Sequence, residues 1–177
     1  MTEAKKVILV DENDKPIGEA EKITAHQQGL LHRAFSIFVF YHPSNDEPEL
    51  LIQQRQFDKY HCGGLWSNTC CSHPQPGEEI ITAGQKRLFE EMGIQVELQE
   101  VGGFHYRVKF DNGLTENELD HVFIGFASSK EVPFNKNEVN AIRWVKLGIL
   151  LQEVIDHPKN FTPWFAPALE VALGFSK

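Results

Sequence analysis

The sequence contains no long apolar run. Its first ten residues hold only four consecutive apolar residues, Val7–Val10, which are too few for the apolar segment of a secretion signal. No stretch approaches the ~20 apolar residues that a membrane-spanning helix requires. We therefore expect a cytoplasmic protein that has no membrane partner.

Cysteine is scarce and positive charge is in deficit. The chain has 3 cysteines, an odd number, and the adjacent pair Cys70 and Cys71 is typical of free thiols in a reducing compartment. The 17 lysines and arginines face 25 aspartates and glutamates, which gives a net charge of −8. Nucleic acids and anionic membranes bind basic surfaces, so this balance argues against both as partners. A local cluster of cations can still bind a small anionic substrate.

The ordinary composition predicts one folded domain that spans residues 1–177. Hydrophobic residues make up 41% of the chain and charged residues 24%, which is close to the average of globular proteins. A domain of this length buries roughly two-thirds of the surface of its unfolded chain, which is enough for a core without disulfides. We expect a monomer or a weak homodimer.

Local patterns predict a mixed α/β protein. The clearest helix is Ile80–Met92, whose apolar residues recur near one face and which Gly93 ends. The aromatic segment Ala34–Tyr41 predicts a central strand that forms a hairpin with Leu50–Arg55. Other strands are predicted at 7–10, 103–110, 119–127 and 139–145, a helical turn at 23–28, and helices at 148–157 and 163–173. Hairpins combined with helices indicate an α/β sandwich, not a regular series of βαβ units.

The segment Trp66–Glu79 concentrates reactive side chains directly before the predicted helix. Cys71 and His73 form a Cys-x-His pattern among prolines that restrict the chain. The pattern is compatible with a reactive site and with a small buried thiol beside a hydrogen-bonded histidine. Glu90 and Glu91 end the helix, where the helix dipole favours cations. These carboxylates are either solvated or held for a cation such as Mg²⁺.

Two carboxylates share one face if residues 116–120 belong to a strand. Glu116 and Glu118 would then repel each other unless a cation or a proton separates them. Together with His26, His32 and His73 they could form a mixed nitrogen–oxygen metal site. The alternative is scattered surface histidines, because none has the tight spacing of a structural zinc motif. The histidines at positions 42, 61, 105, 121 and 157 receive no predicted role.

Basic and aromatic residues lie close to these segments in the sequence. In an acidic chain, four cations could bind a diphosphate together with Mg²⁺: Lys22, Arg55, Lys59 and Arg87. An ordinary ion pair, such as Arg87 with Glu91 four residues later, is the alternative. Tyr106 and Trp164 lie in polar contexts and are candidates for catalysis, although packing is the usual role of such rings.

Six segments, in this order and spacing, resemble the type I isopentenyl-diphosphate Δ-isomerase family: AHQQGLLHRAFS, WSNTCCSHPQPGE, KRLFEEMGI, FHYR, ENELDHVF and FTPWFAP. The resemblance runs from about Lys22 to Pro167 and implies a Nudix-type α/β/α sandwich with a mixed sheet. The Nudix signature is G-x5-E-x7-R-E-U-x-E-E-x-G-U, where U is aliphatic. Here Ser72 replaces the first glycine, and Lys86 and Arg87 occupy the Arg-Glu positions.

The resemblance implies an isomerase of isoprenoid biosynthesis that interconverts isopentenyl diphosphate and dimethylallyl diphosphate. The catalytic positions of the family correspond to Cys71, Glu118, Tyr106 and Trp164. Its ligands for a transition metal, Mn²⁺ or Zn²⁺, correspond to His26, His32, His73, Glu116 and Glu118. Its Mg²⁺, shared with the diphosphate, corresponds to Glu91 and the main-chain carbonyl of Cys71. Its diphosphate-binding cations correspond to Lys22, Arg55, Lys59 and Arg87.

The implied chemistry suits these residue types. Protonating an isolated alkene creates a tertiary carbocation and requires a positioned acid. Glu118, polarised by the metal, can supply a proton at one face while Cys71 as a thiolate removes one at the other, or the two exchange roles. The ring of Trp164 would attract the cation without trapping it.

Two other functions share part of this pattern. A Nudix hydrolase that cleaves a nucleoside diphosphate derivative would share the helix carboxylates, but Arg87 replaces a carboxylate of the metal cluster that activates water. A metal- or ligand-binding module without turnover would share the metal ligands, but it gives Cys71 no role.

Overall fold

The computed structural model describes residues 4–174. Within this range no helix has the length and apolarity that crossing a membrane demands. The strands are β1 Lys6–Val10, β2 Pro16–Glu21, β3 His32–Tyr41, β4 Glu49–Arg55, β5 Trp66–Ser67, β6 Cys70–Ser72, β7 Gln99–Lys109, β8 Thr115–Phe126 and β9 Val139–Lys146. The α-helices are α1 Lys22–Gln28, α2 Ile80–Met92, α3 Leu147–Asp156 and α4 Phe165–Ala172, and a 3₁₀ helix covers Pro158–Asn160.

Strand β3 lies at the centre of one mixed sheet. Along one edge it pairs in parallel with β8, from His32 opposite Glu118 to Phe40 opposite Phe126. Along its other edge it pairs antiparallel with β1, β6 and β4 at successive positions. Strand β7 extends the sheet beyond β8, and β9 pairs with β4. The parallel β3–β8 ladder therefore joins two antiparallel halves.

The sheet separates two apolar cores. Successive residues of β3 point to opposite faces, so Phe38 packs with Phe165 of α4 in one core while Ile37 packs with Leu88 of α2 in the other. The first core also contains Leu150 of α3. Helices thus cover both faces of a mixed sheet, which confirms the predicted α/β/α sandwich.

A short crossing segment separates β3 from β4. These strands form only two residue pairs before they diverge, and residues 66–72 fill the gap because β5 pairs with β4 and β6 with β3. Asn68 Nδ2 donates to the carbonyls of Ile37 and Cys70 at 3.1 and 2.8 Å. Thr69 Oγ1 donates to a carbonyl of β4 at 2.6 Å. These buried hydrogen bonds fix the segment in place.

Most predicted elements are present at or near their predicted bounds. Helix Ile80–Met92 has the predicted limits, and Gly93 follows it with φ of 68°. Strand β8 begins at Thr115, earlier than predicted, so Glu116 and Glu118 do belong to a strand. Strands β2, β5 and β6 have no predicted counterpart: β2 is a largely exposed edge strand, and β5 and β6 are too short to show a pattern.

Candidate active site and metal centre

A pocket of about 450 Å³ opens where β3 and β4 diverge. It brings together all residues that the sequence predicts for catalysis and diphosphate binding: Cys71, Glu118, Tyr106, Trp164, Lys22, Arg55, Lys59 and Arg87. The predicted metal ligands His73, Glu116, Glu118 and Glu91 also line it. His26 and His32 are fully buried and contact Glu116 and Glu118 of β8, respectively.

Three imidazoles and a carboxylate converge beside this pocket. One ligand atom from each of His26, His32, His73 and Glu116 lies within 4.8 Å of every other. His26 Nε2 contacts Glu116 Oε1. Glu118 Oε2 lies 2.6 Å from His73 Nε2 and 3.4 Å from His32 Nε2. The five predicted transition-metal ligands therefore share one buried volume.

Main-chain hydrogen bonds orient two of these rings. His26 Nδ1 donates to the carbonyl of Lys22 at 2.6 Å, and His32 Nδ1 donates to that of Leu30 at 2.8 Å. In the tautomer whose Nδ1 donates to the main chain, each ring directs the lone pair of Nε2 at the carboxylates. His32 Nε2 is buried and makes no hydrogen bond. One divalent cation would satisfy these lone pairs together, whereas extra protons would place positive charges side by side, so the residues fit a mixed nitrogen–oxygen metal site.

Burial sets the protonation of this cluster. It lowers the pKa of His73 to about 3, although the charge of Glu118 opposes the shift. Burial, and then the charge of Glu118, raises the pKa of Glu116 to about 8. Burial alone would raise the pKa of Glu118, but His73 and hydrogen-bonding neighbours hold it well below its ordinary value. Neutral imidazole and ionised carboxylate are the forms that bind a divalent cation, so a bound cation would displace the proton that the raised pKa favours on Glu116.

Sheet register places a phenol next to Glu118. Tyr106 of β7 is paired with Glu118 of β8, and Tyr106 Oη donates to Glu118 Oε1. The other carboxylate oxygen, Oε2, contacts His73. Burial and the charge of Glu118 raise the pKa of Tyr106 well above its ordinary value, so the phenol remains a donor. Glu118 thus lies between a fixed hydrogen-bond donor and the imidazole cluster.

The adjacent cysteines face opposite sides of β6. Cys70 is fully buried in the core with Leu88 and Met92 of α2, whereas Cys71 lines the pocket. Burial raises the pKa of Cys71 to about 12, while the charge of Arg55 opposes this shift. Alternation along a strand therefore selects Cys71 as the member of the pair that faces the site.

Trp164 forms an aromatic wall of the pocket directly before α4. Its ring centre lies 6.2 Å from that of Tyr106, and the guanidinium carbon of Arg55 lies 5.4 Å from the Trp164 ring. Trp164 is 3% exposed, and its Nε1 is buried without a hydrogen-bond partner. A largely buried aromatic ring, which can attract positive charge, therefore borders the pocket that holds Cys71 and Glu118.

Arg87 lies in the middle of a group of carboxylates. Its guanidinium is 3.1 Å from Glu90, 2.8 Å from Glu91 and 2.9 Å from Glu138. The Arg87–Glu91 pair suggested by the sequence is thus present, and it is largely buried instead of lying on the surface. Glu138 also lies 3.4 Å from Lys59 Nζ. Arg87 places positive charge where the Nudix signature has a carboxylate.

Glu91 is held at the pocket by a second donor. Gln53 Nε2 donates to Glu91 Oε1 at 3.0 Å and to the carbonyl of Thr69 at 2.8 Å. Glu91 is 6% exposed. Its charge acts on Cys71 and contributes to the raised pKa of that thiol. Glu91, which is predicted to bind Mg²⁺, therefore lines the same pocket as Cys71. The main-chain carbonyl of Cys71 is the other predicted Mg²⁺ ligand.

Several pocket residues have no role predicted from the sequence. His61 Nε2 lies 2.5 Å from Glu116 Oε1, and Asp120 Oδ2 accepts a hydrogen bond from Ser36 Oγ at 2.7 Å. Two signals could have located them: His61 lies in the loop that follows Arg55 and contains Lys59, and Asp120 continues the alternate spacing of Glu116 and Glu118 on β8. The other pocket residues without a predicted role include Gln53 and Glu138.

Comparison with known proteins identifies the fold. A model of the NUDIX domain matches residues 30–165. The MutT protein of Methanosarcina mazei Go1 is similar in structure, with a TM-score of 0.65 and 16% identity over 83% of this chain and 96% of that one. The NUDIX domain of Shewanella oneidensis NrtR, solved with ADP ribose, has a TM-score of 0.63 and 13% identity, covering 83% and 88% of the two chains. At these identities the likeness concerns the fold alone, which is that of a Nudix protein.

Similarity in sequence narrows this class to one family. A protein of Pectobacterium atrosepticum named isopentenyl-diphosphate Delta-isomerase is 47% identical over 90% of this chain and 87% of its own length. A protein of the same name from Burkholderia multivorans is 48% identical over 94% of this chain and 92% of its own length. The chain belongs to the isopentenyl-diphosphate Delta-isomerase family.

Proposed function

We propose that this protein interconverts isopentenyl diphosphate and dimethylallyl diphosphate. One observation carries the proposal: a thiol, Cys71, and a buried carboxylate, Glu118, line the same pocket as an aromatic ring and a group of cations. Relatives at 47% and 48% identity bear the name of this isomerase. Two proton-transfer groups in one pocket suit a reaction that moves a double bond.

The cations of the pocket would bind the diphosphate, which does not react. Arg55 and Arg87 offer several N–H donors to phosphate oxygens, and Lys22 and Lys59 add point charges. Arg87 and Lys59 share Glu138 in this structure and would exchange it for phosphate oxygens. Glu91 and the carbonyl of Cys71 would hold Mg²⁺, a cation that prefers oxygen ligands and substrate phosphates.

A transition metal, Mn²⁺ or Zn²⁺, would be held by the five-residue cluster of His26, His32, His73, Glu116 and Glu118. Mixed imidazole and carboxylate donors suit either ion. When bound, the ion supplies fixed positive charge beside Glu118, which offsets the cost of keeping this carboxylate buried.

The reaction moves two protons and leaves the diphosphate intact. One proton is added to C4 of the alkene, which creates a cation at C3, and one proton is lost from C2. Glu118, hydrogen-bonded to Tyr106, serves one of these positions, and the Sγ atom of Cys71 serves the other. Because the reaction is reversible, each group acts as an acid in one direction and as a base in the other.

The aromatic wall would protect the cation. The π face of Trp164 attracts positive charge at C3 but contains no nucleophile that could trap it. Water would capture such a cation, so the reaction requires a site from which water is excluded. The low exposure of Trp164, Glu116 and Glu118 supports this part of the proposal.

Hydrolysis is the competing function, because the fold is shared with Nudix hydrolases. Arg87 argues against it: the guanidinium pairs with Glu90, Glu91 and Glu138, and its positive charge would weaken a cluster of several metal ions at these carboxylates. Cys71 and Trp164 would also lack a role in hydrolysis. The geometry therefore favours a diphosphate that is bound without being hydrolysed.

Product analysis tests the proposal. The purified protein is incubated with isopentenyl diphosphate and Mg²⁺, and proton NMR is recorded together with an assay of released phosphate. Isomerisation predicts the methyl signals of dimethylallyl diphosphate with no phosphate release. Free phosphate and a monophosphate product would show hydrolysis. An unchanged substrate would indicate a binding module without turnover.

A further inference from the structure

His61 joins three parts of the pocket although it belongs to none of the predicted sets of site residues. Its Nε2 atom lies 2.5 Å from Glu116 Oε1 in the metal cluster. Its ring centre lies 5.9 Å from that of Trp164. The Nη2 atom of Arg55 lies 3.4 Å from His61 Nδ1. One side chain thus contacts the metal ligands, the aromatic wall and a cation assigned to the diphosphate.

The partners of His61 determine which of its nitrogens carries the hydrogen. A guanidinium has only donors, so Nδ1 of His61 accepts from Arg55 and Nε2 carries the hydrogen that is donated to Glu116. His26 has the opposite arrangement, because its Nδ1 donates to a main-chain carbonyl and its Nε2 meets the same oxygen of Glu116. Glu116 Oε1 therefore meets a lone pair from His26 and a hydrogen from His61.

The loop between β4 and β5 holds His61 against the cluster. Gly64 N donates to the carbonyl of Arg55 at 3.0 Å, which ties the ends of the loop together. A Cβ atom on Gly63 would lie 2.7 Å from the carbonyl oxygen of Phe57, and Gly64 has φ of +82°, so both positions require glycine. The resulting loop leaves His61 only 9% exposed.

We infer that His61 is a positioning residue that donates a hydrogen bond to Glu116 and holds this carboxylate in the orientation in which it binds the metal. Partners of metal ligands that act in this way typically change metal affinity by about 10–100-fold. The inference rests on the proposed metal site but not on the isomerisation chemistry. The same side chain connects Arg55, at the cationic end of the pocket, to Glu116 in the metal cluster.

Titration of the metal-free full-length protein with Co²⁺ tests the inference, because the visible absorption of Co²⁺ reports both affinity and ligand number. His61→Phe keeps a ring against Tyr60, Phe110 and Trp164 but removes the donor. His61→Gln restores an N–H donor near the former Nε2 position. We expect His61→Phe to weaken Co²⁺ binding about 10–100-fold and His61→Gln to recover most of the affinity, with the absorption spectrum unchanged in both.

Three results would overturn the inference. They are wild-type affinity in His61→Phe, no recovery in His61→Gln, and a spectrum that has lost a nitrogen ligand, which would make His61 a ligand itself. His42→Phe, an exposed histidine outside the pocket, is the matched control and should bind Co²⁺ like the wild type. Thermal unfolding of the metal-free variants checks folding, and His61→Leu replaces His61→Phe if the latter is unfolded. Unchanged affinity in His73→Ala would instead remove the metal site.

Discussion

Cys70 and Cys71 are the same residue type in neighbouring positions, and only the alternation of β6 gives them different surroundings. Cys71 faces the pocket and Cys70 the core. We expect Cys71→Ala to abolish isomerisation because it removes a proton-transfer group. Cys70→Ala should keep most of the activity, since it removes one buried sulfur from a well-packed core. Steady-state rates from the NMR assay measure the activity of both variants. Equal losses of activity, or a loss in Cys70→Ala alone, would show that the assignment of the chemistry to Cys71 is wrong.

The two ends of the substrate should respond differently to mutation. Contacts to the diphosphate are similar in the ground and transition states, so Arg55→Ala should mainly raise KM. Glu118→Gln should nearly eliminate kcat, because an amide can neither supply nor accept the transferred proton and is a poorer metal ligand. Trp164→Phe should keep affinity and part of the rate, since a smaller π face remains. A kcat defect confined to Arg55→Ala, with an affinity defect confined to Glu118→Gln, would reverse the assignment of the two ends.

Sequence reasoning located site residues where a residue type and its spacing carried chemistry. The separation of Glu116 and Glu118 by two positions predicted a shared face, and β8 provides it. The Cys-x-His pattern alone did not distinguish a reactive thiol from a buried one, and resemblance to a family was needed to choose Cys71. His61 was not predicted because its contact with Glu116 joins residues that lie 55 positions apart, and its position after Arg55 and Lys59 is the only local signal that points to the site.

At the scale of elements, the crossing segment between β3 and β4 has the greatest effect on the site, because it carries Cys71. Asn68 holds this segment through two buried hydrogen bonds from one amide nitrogen. Asn68→Ala leaves two buried carbonyls without their side-chain donor and should lower the free energy of unfolding by about 2–4 kcal/mol. Denaturant unfolding followed by fluorescence measures the change.

Asn140→Ala is the matched control for this prediction. Its amide donates to Gln54 at 2.6 Å on the exposed side of the sheet, where water replaces a lost bond. We expect its stability to change by less than about 0.5 kcal/mol. Similar losses in both variants would mean that the crossing segment is not held by Asn68.

Elements with a strong periodic pattern could be predicted from the sequence, and those whose identity depends on partners could not. Helix α2 has an apolar face and a terminal glycine, and both bounds were predicted correctly. The central strand β3 was recognisable because both of its faces are buried. Strands β5 and β6 have two and three residues, and they exist as strands only because the diverging edges of β3 and β4 offer them hydrogen-bond partners.

At the scale of the whole molecule, the metal cluster links distant parts of the chain. His26 belongs to α1, His32 to β3 and Glu116 to β8, while His73 follows β6. A cation that binds the folded chain but not the unfolded one stabilises it by about 2.7 kcal/mol when the free metal is ~100 times Kd. For a domain of this size we expect Mn²⁺ or Zn²⁺ to raise Tm by roughly 5–10 °C.

This stabilisation should depend on the ligands and on pH. His73→Ala and Glu116→Ala should each reduce bound metal, measured by elemental analysis, and reduce the rise in Tm. Acidification should reduce the rise in Tm, because protons compete with the metal for the imidazole and carboxylate groups and are released when the metal binds. Unchanged metal content in both variants would exclude the five-residue site.

The fold by itself does not separate this protein from Nudix hydrolases, since the likeness to solved structures at 16% and 13% identity extends over 83% of the chain. Function depends on side chains placed on that fold. In this pocket those side chains include Arg87 among the helix carboxylates, Cys71 on β6 and Trp164 before α4. We therefore expect the pocket to support proton transfer while the diphosphate stays intact.

Incorporation of deuterium from the solvent into the product tests this proton transfer. Isopentenyl diphosphate is converted by the enzyme in D₂O, and early product is analysed by NMR and mass spectrometry. Protonation of C4 by a group that exchanges with solvent predicts dimethylallyl diphosphate with one deuterium in a methyl group and no released phosphate. Product that forms without deuterium, or phosphate released in place of the isomer, would contradict the account.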